Sequence, residues 1–254
     1  MLWQCDIACA IGGRAEQQDR VESFAVPNRP EDCLVVLADG MGGQRDGGLA
    51  AQLVIDTARQ AVADTPVEPP QQFLDALCRR ADQAIVALGQ DRGSQPGSTC
   101  VLLYLSGGEA YWAHAGDSRL YHFAGRQQLS CTRDHTFGEL RREAAPGPTA
   151  AAADDASLYM CLGGQNPLAP ELGASATGRD DWFLLCSDGF WNQVTPAELD
   201  VERRDAPTSP SAAEEWVRLA AARGGQRSDN VSVALVTRRR SAIRRLWSRL
   251  RTPD

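Results

Sequence analysis

The run "CLVVLA" at residues 33–38, followed at once by Asp39 and Gly40, constrains this chain more than any other stretch. Six apolar residues rich in β-branched side chains fit a buried strand. A carboxylate at the rim of a core is costly unless something compensates it, so Asp39 directs attention to other acids in similar places.

Four more runs of strand length occur at 100–105 (CVLLYL), 110–115 (AYWAHA), 182–187 (WFLLCS) and 231–236 (VSVALV), each meeting Gly, Asp or Ser. Helical spacing appears at 48–63, where Leu49, Leu53 and Ala61 share a face with Ile55 and Ala58 near it, and at 71–88, with Phe73, Leu77, Ala81 and Leu88. A shorter helix is predicted over 213–223. Strands and helices come in blocks, which fits an α+β layered domain better than a βαβ repeat. Residues 144–157, rich in Ala, Pro and Asp, read as a loop or flap, and 203–213 as a second irregular stretch.

The acids recur at element ends. Asp39–Gly40 and Asp188–Gly189 each close an apolar strand, Asp117 lies just past a third, and Asp229–Asn230 just precede a fourth; Asp19 follows the first apolar stretch. A single Asp-Gly most often marks a turn. Several acids at the tips of neighbouring strands are another matter, because clustered carboxylates repel unless cations lie between them. Oxygen donors of this kind suit Mg²⁺ or Mn²⁺. Glycine allows close backbone approach, which puts the Gly40 carbonyl among the candidate ligands. No Cys or His has metal-ligand spacing, so the pattern points away from zinc.

Composition narrows the rest. The net charge of −7 argues against a nucleic-acid binder held by phosphate contacts. Eight scattered cysteines without a CxxC pair read as mostly buried free thiols. The N-terminus lacks the basic stretch of a signal peptide, and no run is long enough to span a membrane, so a cytoplasmic protein is expected. Residues 238–254 carry seven arginines and one acid, and 238–251 place Ile243, Leu246, Trp247 and Leu250 on one helical face. This basic amphipathic tail fits an anionic membrane surface, an acidic partner, or the acidic body of the chain itself. The expected organisation is one domain over 1–237 and a tail over 238–254.

Taken in order, Arg14 and Asp19, "DGMGG" (39–43), "GST" (97–99), "GDSRLY" (116–121), "TRDHT" (132–136), "SDGFW" (187–191) and "SDNVSVALV" (228–236) resemble the bacterial branch of the metal-dependent serine/threonine protein phosphatases, the PPM or PP2C-type family. The resemblance runs from about residue 7 to 236. It implies a four-layer α-β-β-α sandwich of two antiparallel sheets, with two or three Mn²⁺ or Mg²⁺ ions at one edge. It also implies that Asp39 bridges two ions with the Gly40 carbonyl on one of them, and that Asp188 and Asp229 complete the coordination of the other ion. Asp19 falls on an acid that holds a metal's water, Asp117 on one that shares a third, weaker ion with Asp188, and Arg14 on the phosphate-binding arginine.

Two departures stand out. Met41 occupies the place where animal members carry a histidine read as a general acid, and Gln17 and Gln18 replace a usual Asn and Glu. His135, His114 and His122 read as structural side chains, Ser98 and Thr99 as strand-start residues, Asn230 as a loop-orienting group, and Trp191 as core or pocket wall. The expected activity is hydrolysis of phosphoserine and phosphothreonine in proteins, opposing a bacterial Ser/Thr kinase, with a possible tie to type VI secretion. The competing readings are a pseudophosphatase that binds phosphoproteins and a hydrolase of small phosphoesters. A monomer is expected.

Overall fold

The computed structural model describes residues 3–41, 46–64, 67, 69–144, 155–195, 197–198 and 212–238. Its elements run β1 (Trp3–Ala10), β2 (Asp19–Val26), β3 (Arg29–Met41), α1 (Asp46–Asp64), α2 (Pro70–Arg92), β4 (Gly97–Ser98), β5 (Cys100–Ser106), β6 (Glu109–Ala115), β7 (Arg119–Ala124) and β8 (Gln127–Cys131). They continue as α3 (Phe137–Ala144), β9 (Glu171–Ala176), β10 (Asp181–Cys186), α4 (Asp188–Trp191), α5 (Ala212–Gly224), a 3₁₀ turn (Gly225–Arg227) and β11 (Val231–Arg238).

The strands form two sheets, β1-β11-β10-β7-β8 and β2-β3-β5-β6-β9, with the short β4 paired to the end of β3. Every ladder between these strands is antiparallel. An antiparallel sheet with one wet face alternates apolar and polar residues, whereas a sheet covered on both faces need not. In β3, Leu34, Val36 and Ala38 pack under α1 and α2. The intervening Cys33, Val35 and Leu37 face the other sheet. The same division places Trp182, Leu184 and Cys186 of β10 under α5. Phe183 and Leu185 enter the layer between the sheets. Helices therefore cover the outer face of each sheet, giving the expected four-layer α-β-β-α sandwich.

The expected face of α1 is corrected. The buried side is Ala50, Ala51, Val54, Ile55, Ala58, Ala61 and Val62, while Leu49 is 38% exposed and Leu53 only partly covered. Small alanines let the helix lie close on β3, and the bulkier leucines fall to the side of that seam. All eight cysteines are free, and Cys9 is exposed rather than buried. No described helix is long and apolar enough to cross a membrane. Residues 145–154 of the flap, 203–211, and the tail beyond Arg238 lie outside the described residues; Arg238 itself is the last residue of β11, paired with Trp3.

Candidate metal centre

Sheet register brings the first two acids together: Asp19, at the start of β2, pairs directly with Asp39 near the end of β3. Asp39 is clamped through its backbone. Its N–H donates to Thr99 Oγ1 at 2.9 Å, and its carbonyl accepts from the Thr99 N–H at 2.9 Å and from Ser98 Oγ at 3.2 Å. Thr99 Oγ1 in turn shares a hydrogen bond with Ser118 Oγ at 2.7 Å. Ser98 and Thr99 thus hold the strand that carries the acid, as the sequence predicts.

The two Asp-Gly pairs owe their glycines to crowding. A Cβ on Gly40 would lie 1.9 Å from the Gly47 carbonyl oxygen, and one on Gly189 would lie 2.1 Å from that of Asn230. Only a residue without a side chain lets the Asp188 turn sit against the Asp229–Asn230 segment that leads into β11.

Asn230 then organises the segment before β2. Its Oδ1 accepts from the Gln18 N–H at 2.7 Å, and its Nδ2 donates to the carbonyls of Ile11 at 2.8 Å and Glu16 at 3.0 Å. That anchors the loop carrying Arg14, whose Nη2 reaches Asp229 Oδ2 at 2.5 Å. Gln17 is used locally, donating to the Ala10 carbonyl and accepting from the Asp19 N–H, each at 3.1 Å.

Ser187 is a residue the sequence reading missed. Its hydroxyl donates to Asp19 Oδ2 at 2.8 Å and accepts from the Ser232 N–H at 3.0 Å, joining the two sheets beneath the acids. The only available signal was its place beside Asp188, where a serine ordinarily reads as a helix cap.

The electrostatics follow from this crowding. Burial, then Asp19, Asp188, Asp117 and Asp229, hold the Asp39 carboxyl well above its usual range. Burial followed by Asp117, Asp229 and Asp19 pushes Asp188 up to about 7. Burial, with Asp134 next, raises Asp117 to about 6. Burial raises Asp19 too, against the lowering effect of the hydrogen bond it accepts from Ser187. One oxygen each of Asp19 and Asp188 is buried with no hydrogen-bond partner. Oxygen donors that repel one another and lack protein partners fit hard divalent cations.

Above the acids opens a cavity of about 920 Å³, lined by Arg14, Asp39, Gly40, Asp117, Asp188 and Asp229, with Met41 and Cys161 on its wall. Asp19 lies beneath this floor. The structure therefore gathers every site residue expected from the sequence.

The histidines stay outside the cavity lining. The Gly116 N–H donates to His135 Nδ1 at 3.1 Å, which leaves the ring proton on Nε2, facing Glu171 at 3.9 Å. His114 stacks on His135, and burial lowers these rings to about 3 and about 4, so both are neutral at physiological pH. Although His114, His135 and Glu171 lie close enough together to chelate an ion, the Nε2 proton disfavours His135 as a ligand.

A family model for protein phosphatase 2C matches residues 11–231. The chain belongs to the protein phosphatase 2C family. It is 30% identical over 232 residues to protein phosphatase PhpP of Streptococcus pneumoniae, covering 88% of this chain and 92% of that one. The crystal structure of the catalytic domain of serine/threonine phosphatase PstP with two manganese ions is 30% identical, with a TM-score of 0.76 over 92% of this chain and 97% of that one. PppA of Pseudomonas aeruginosa, described as a key regulatory component of its type VI secretion system, is 27% identical with a TM-score of 0.76, over 94% of this chain and 99% of its own. This protein phosphatase 2C shares with them the sandwich built above.

Proposed function

We propose that this protein phosphatase 2C hydrolyses phosphoserine and phosphothreonine in proteins, with Asp39, Asp188, Asp229, Asp19, Asp117 and the Gly40 carbonyl holding two or three Mn²⁺ or Mg²⁺ ions. The observation that carries the reading is the convergence of five carboxylates from both sheets on one site, two of them with a buried oxygen that no protein group satisfies. Divalent cations held there would lower the pKa of a water and offset charge on the phosphoryl oxygens.

The chain's own residues do the rest. Arg14 offers a planar fork for two phosphoryl oxygens at the cavity rim. Its contact with Asp229 keeps the fork directed toward the acids. Ser187, Thr99 and Asn230 fix the carboxylates so that little reorganisation is needed on binding. Met41 donates no proton and no described histidine lines the cavity, so protonation of the departing serine or threonine oxygen falls to water.

The substrates proposed are phosphoproteins, including targets of a partner Ser/Thr kinase, in the cytoplasm and by a monomer. A role in type VI secretion draws its support from the likeness to PppA. The 238–251 tail, of which only Arg238 is described, is proposed to contact an anionic membrane or an acidic partner.

A substrate panel tests the reading. Phosphate release from phosphothreonine and phosphoserine peptides, abolished by EDTA and restored by Mn²⁺ or Mg²⁺, is the expected result. Turnover confined to small phosphoesters would assign a different hydrolase. Tight phosphopeptide binding without turnover under any metal would assign a phosphoprotein-binding module.

A further inference from the structure

The helix α4 begins with Asp188 and ends with Trp191, three residues on and so on the same side of a single turn. The Trp191 indole N–H donates to the backbone carbonyl of Asp117 at 2.8 Å. That contact spans two separate parts of the chain, the β10–α4 turn and the loop between β6 and β7.

The indole is itself held. The Arg119 guanidinium lies 3.6 Å from the Trp191 ring centroid, within the range of a cation–π contact. Arg119 is fixed by a two-pronged pair to Asp134, with Nε and Nη2 each 2.8 Å from a carboxylate oxygen, and by donation from Nη1 to Tyr121 Oη at 3.1 Å. Asp134, Arg119, Trp191 and the Asp117 carbonyl therefore form one continuous chain of directed contacts. A tryptophan that served only as pocket wall would need neither the N–H contact nor the clamped cation. A carboxylate on an unbraced loop would also pay an ordering cost each time it met an ion.

We infer that Trp191 is a positioning residue that holds Asp117 in place against Asp188, and so sets the affinity of the divalent cation those two acids share. The inference rests on the metal-ligand reading proposed above. Trp191 touches neither substrate nor ion in this account and acts through the Asp117 backbone. The ion affected is the one that the family resemblance makes the weaker, third ion, shared by Asp117 and Asp188.

The test is a calorimetric Mn²⁺ titration of the full chain, beside Asp117→Asn, Trp191→Phe and Trp191→Tyr, with melting temperatures recorded in EDTA. Phe and Tyr keep a ring for Arg119 and remove the indole N–H, and using both guards against one of them folding poorly. The expected result is loss of the weakest site in Asp117→Asn. In both Trp191 variants that site should weaken by about five-fold, the scale of one lost hydrogen bond, with the tighter sites within two-fold of wild type. If Asp117→Asn loses the site while the Trp191 variants bind as wild type does, the inference fails and the metal reading stands. Equal weakening of every site together with a fall in melting temperature would mark Trp191 as merely structural and overturn the inference. Wild-type protein that binds no Mn²⁺, or Asp117→Asn that keeps every site, would overturn the metal reading and this inference with it.

Discussion

Asp19 and Asp39 stand directly opposite each other across the β2–β3 ladder, a cross-strand pairing of like charges. Like charges in that relation destabilise a sheet. The protein bears this cost at a place where Asp188, Asp117 and Asp229 add to it. The pairing makes sense as a site held in readiness for cations, and it fixes the sign of several expectations.

The first concerns pH in the absence of metal. Asp188 has its carboxyl pushed from the ordinary aspartate value of 3.8 up to about 7. Across that interval the folded protein keeps a proton that the unfolded chain has released, so stability falls as pH rises through it. In EDTA, Asp188→Asn should gain on wild type between about pH 5 and about pH 8, reaching on the order of 1–3 kcal/mol after allowance for partial exposure. Urea denaturation at the two pH values measures this. Under saturating Mn²⁺ the order should reverse, because the amide forfeits a ligand. An advantage no larger at pH 8 than at pH 5 would contradict the assignment.

Ser187→Ala should both destabilise and impair. It removes the hydroxyl that bridges Asp19 and the Ser232 N–H inside the core. The expected loss is roughly 1–3 kcal/mol, the usual scale for stranding buried polar groups. Ser187→Cys, closer in shape but a weaker donor, should fall between, and chemical denaturation in EDTA separates the three proteins.

Asn230→Ala should act on Arg14 without touching it. Three hydrogen bonds from the Asn230 side chain tie the 11–18 segment in place. Losing them should lower kcat/KM on a phosphothreonine peptide by about 10- to 100-fold, as a displaced binding group does. Its Mn²⁺ affinity should change far less. A loss confined to metal affinity, with kcat/KM restored at high Mn²⁺, would count against this role.

Gly189→Ala tests the close approach behind the second Asp-Gly pair. The new methyl would meet the Asn230 carbonyl oxygen at 2.1 Å, a backbone atom that cannot step aside cheaply. A destabilisation of roughly 3 kcal/mol or more is expected, together with loss of metal binding. A well-folded variant with wild-type Mn²⁺ affinity would show that the two turns are free to separate.

The parts of the fold legible in the sequence were those buried on both faces. Strands β3, β5, β10 and β11 carry predominantly apolar runs because helices lie on one side and the opposite sheet on the other. Strands β8 and β9 end their respective sheets and are largely exposed, so no apolar run marks them. Strand β2 mixes charges into its ladder and was equally silent.

The acids of the site were readable because strand ends and glycines announced them, and the family motifs placed Arg14 among them. Ser187 and Trp191 were not readable in the same way. Ser187 sits at a helix N-cap position yet makes no cap hydrogen bond with its side chain, giving its hydroxyl to Asp19 instead. The partner of Trp191 lies 74 residues away in the chain. Both roles depend on contacts made only after the two sheets have closed.

The most direct measurement of the central claim is phosphate release from a phosphothreonine peptide by EDTA-treated protein resupplied with Mn²⁺, beside Asp39→Asn and Asp188→Asn. The account predicts turnover by the wild type that requires the metal and is nearly abolished in both variants, each shown to be folded. Turnover that survives EDTA, or persists in both variants, would contradict a carboxylate-held metal centre as the source of the activity.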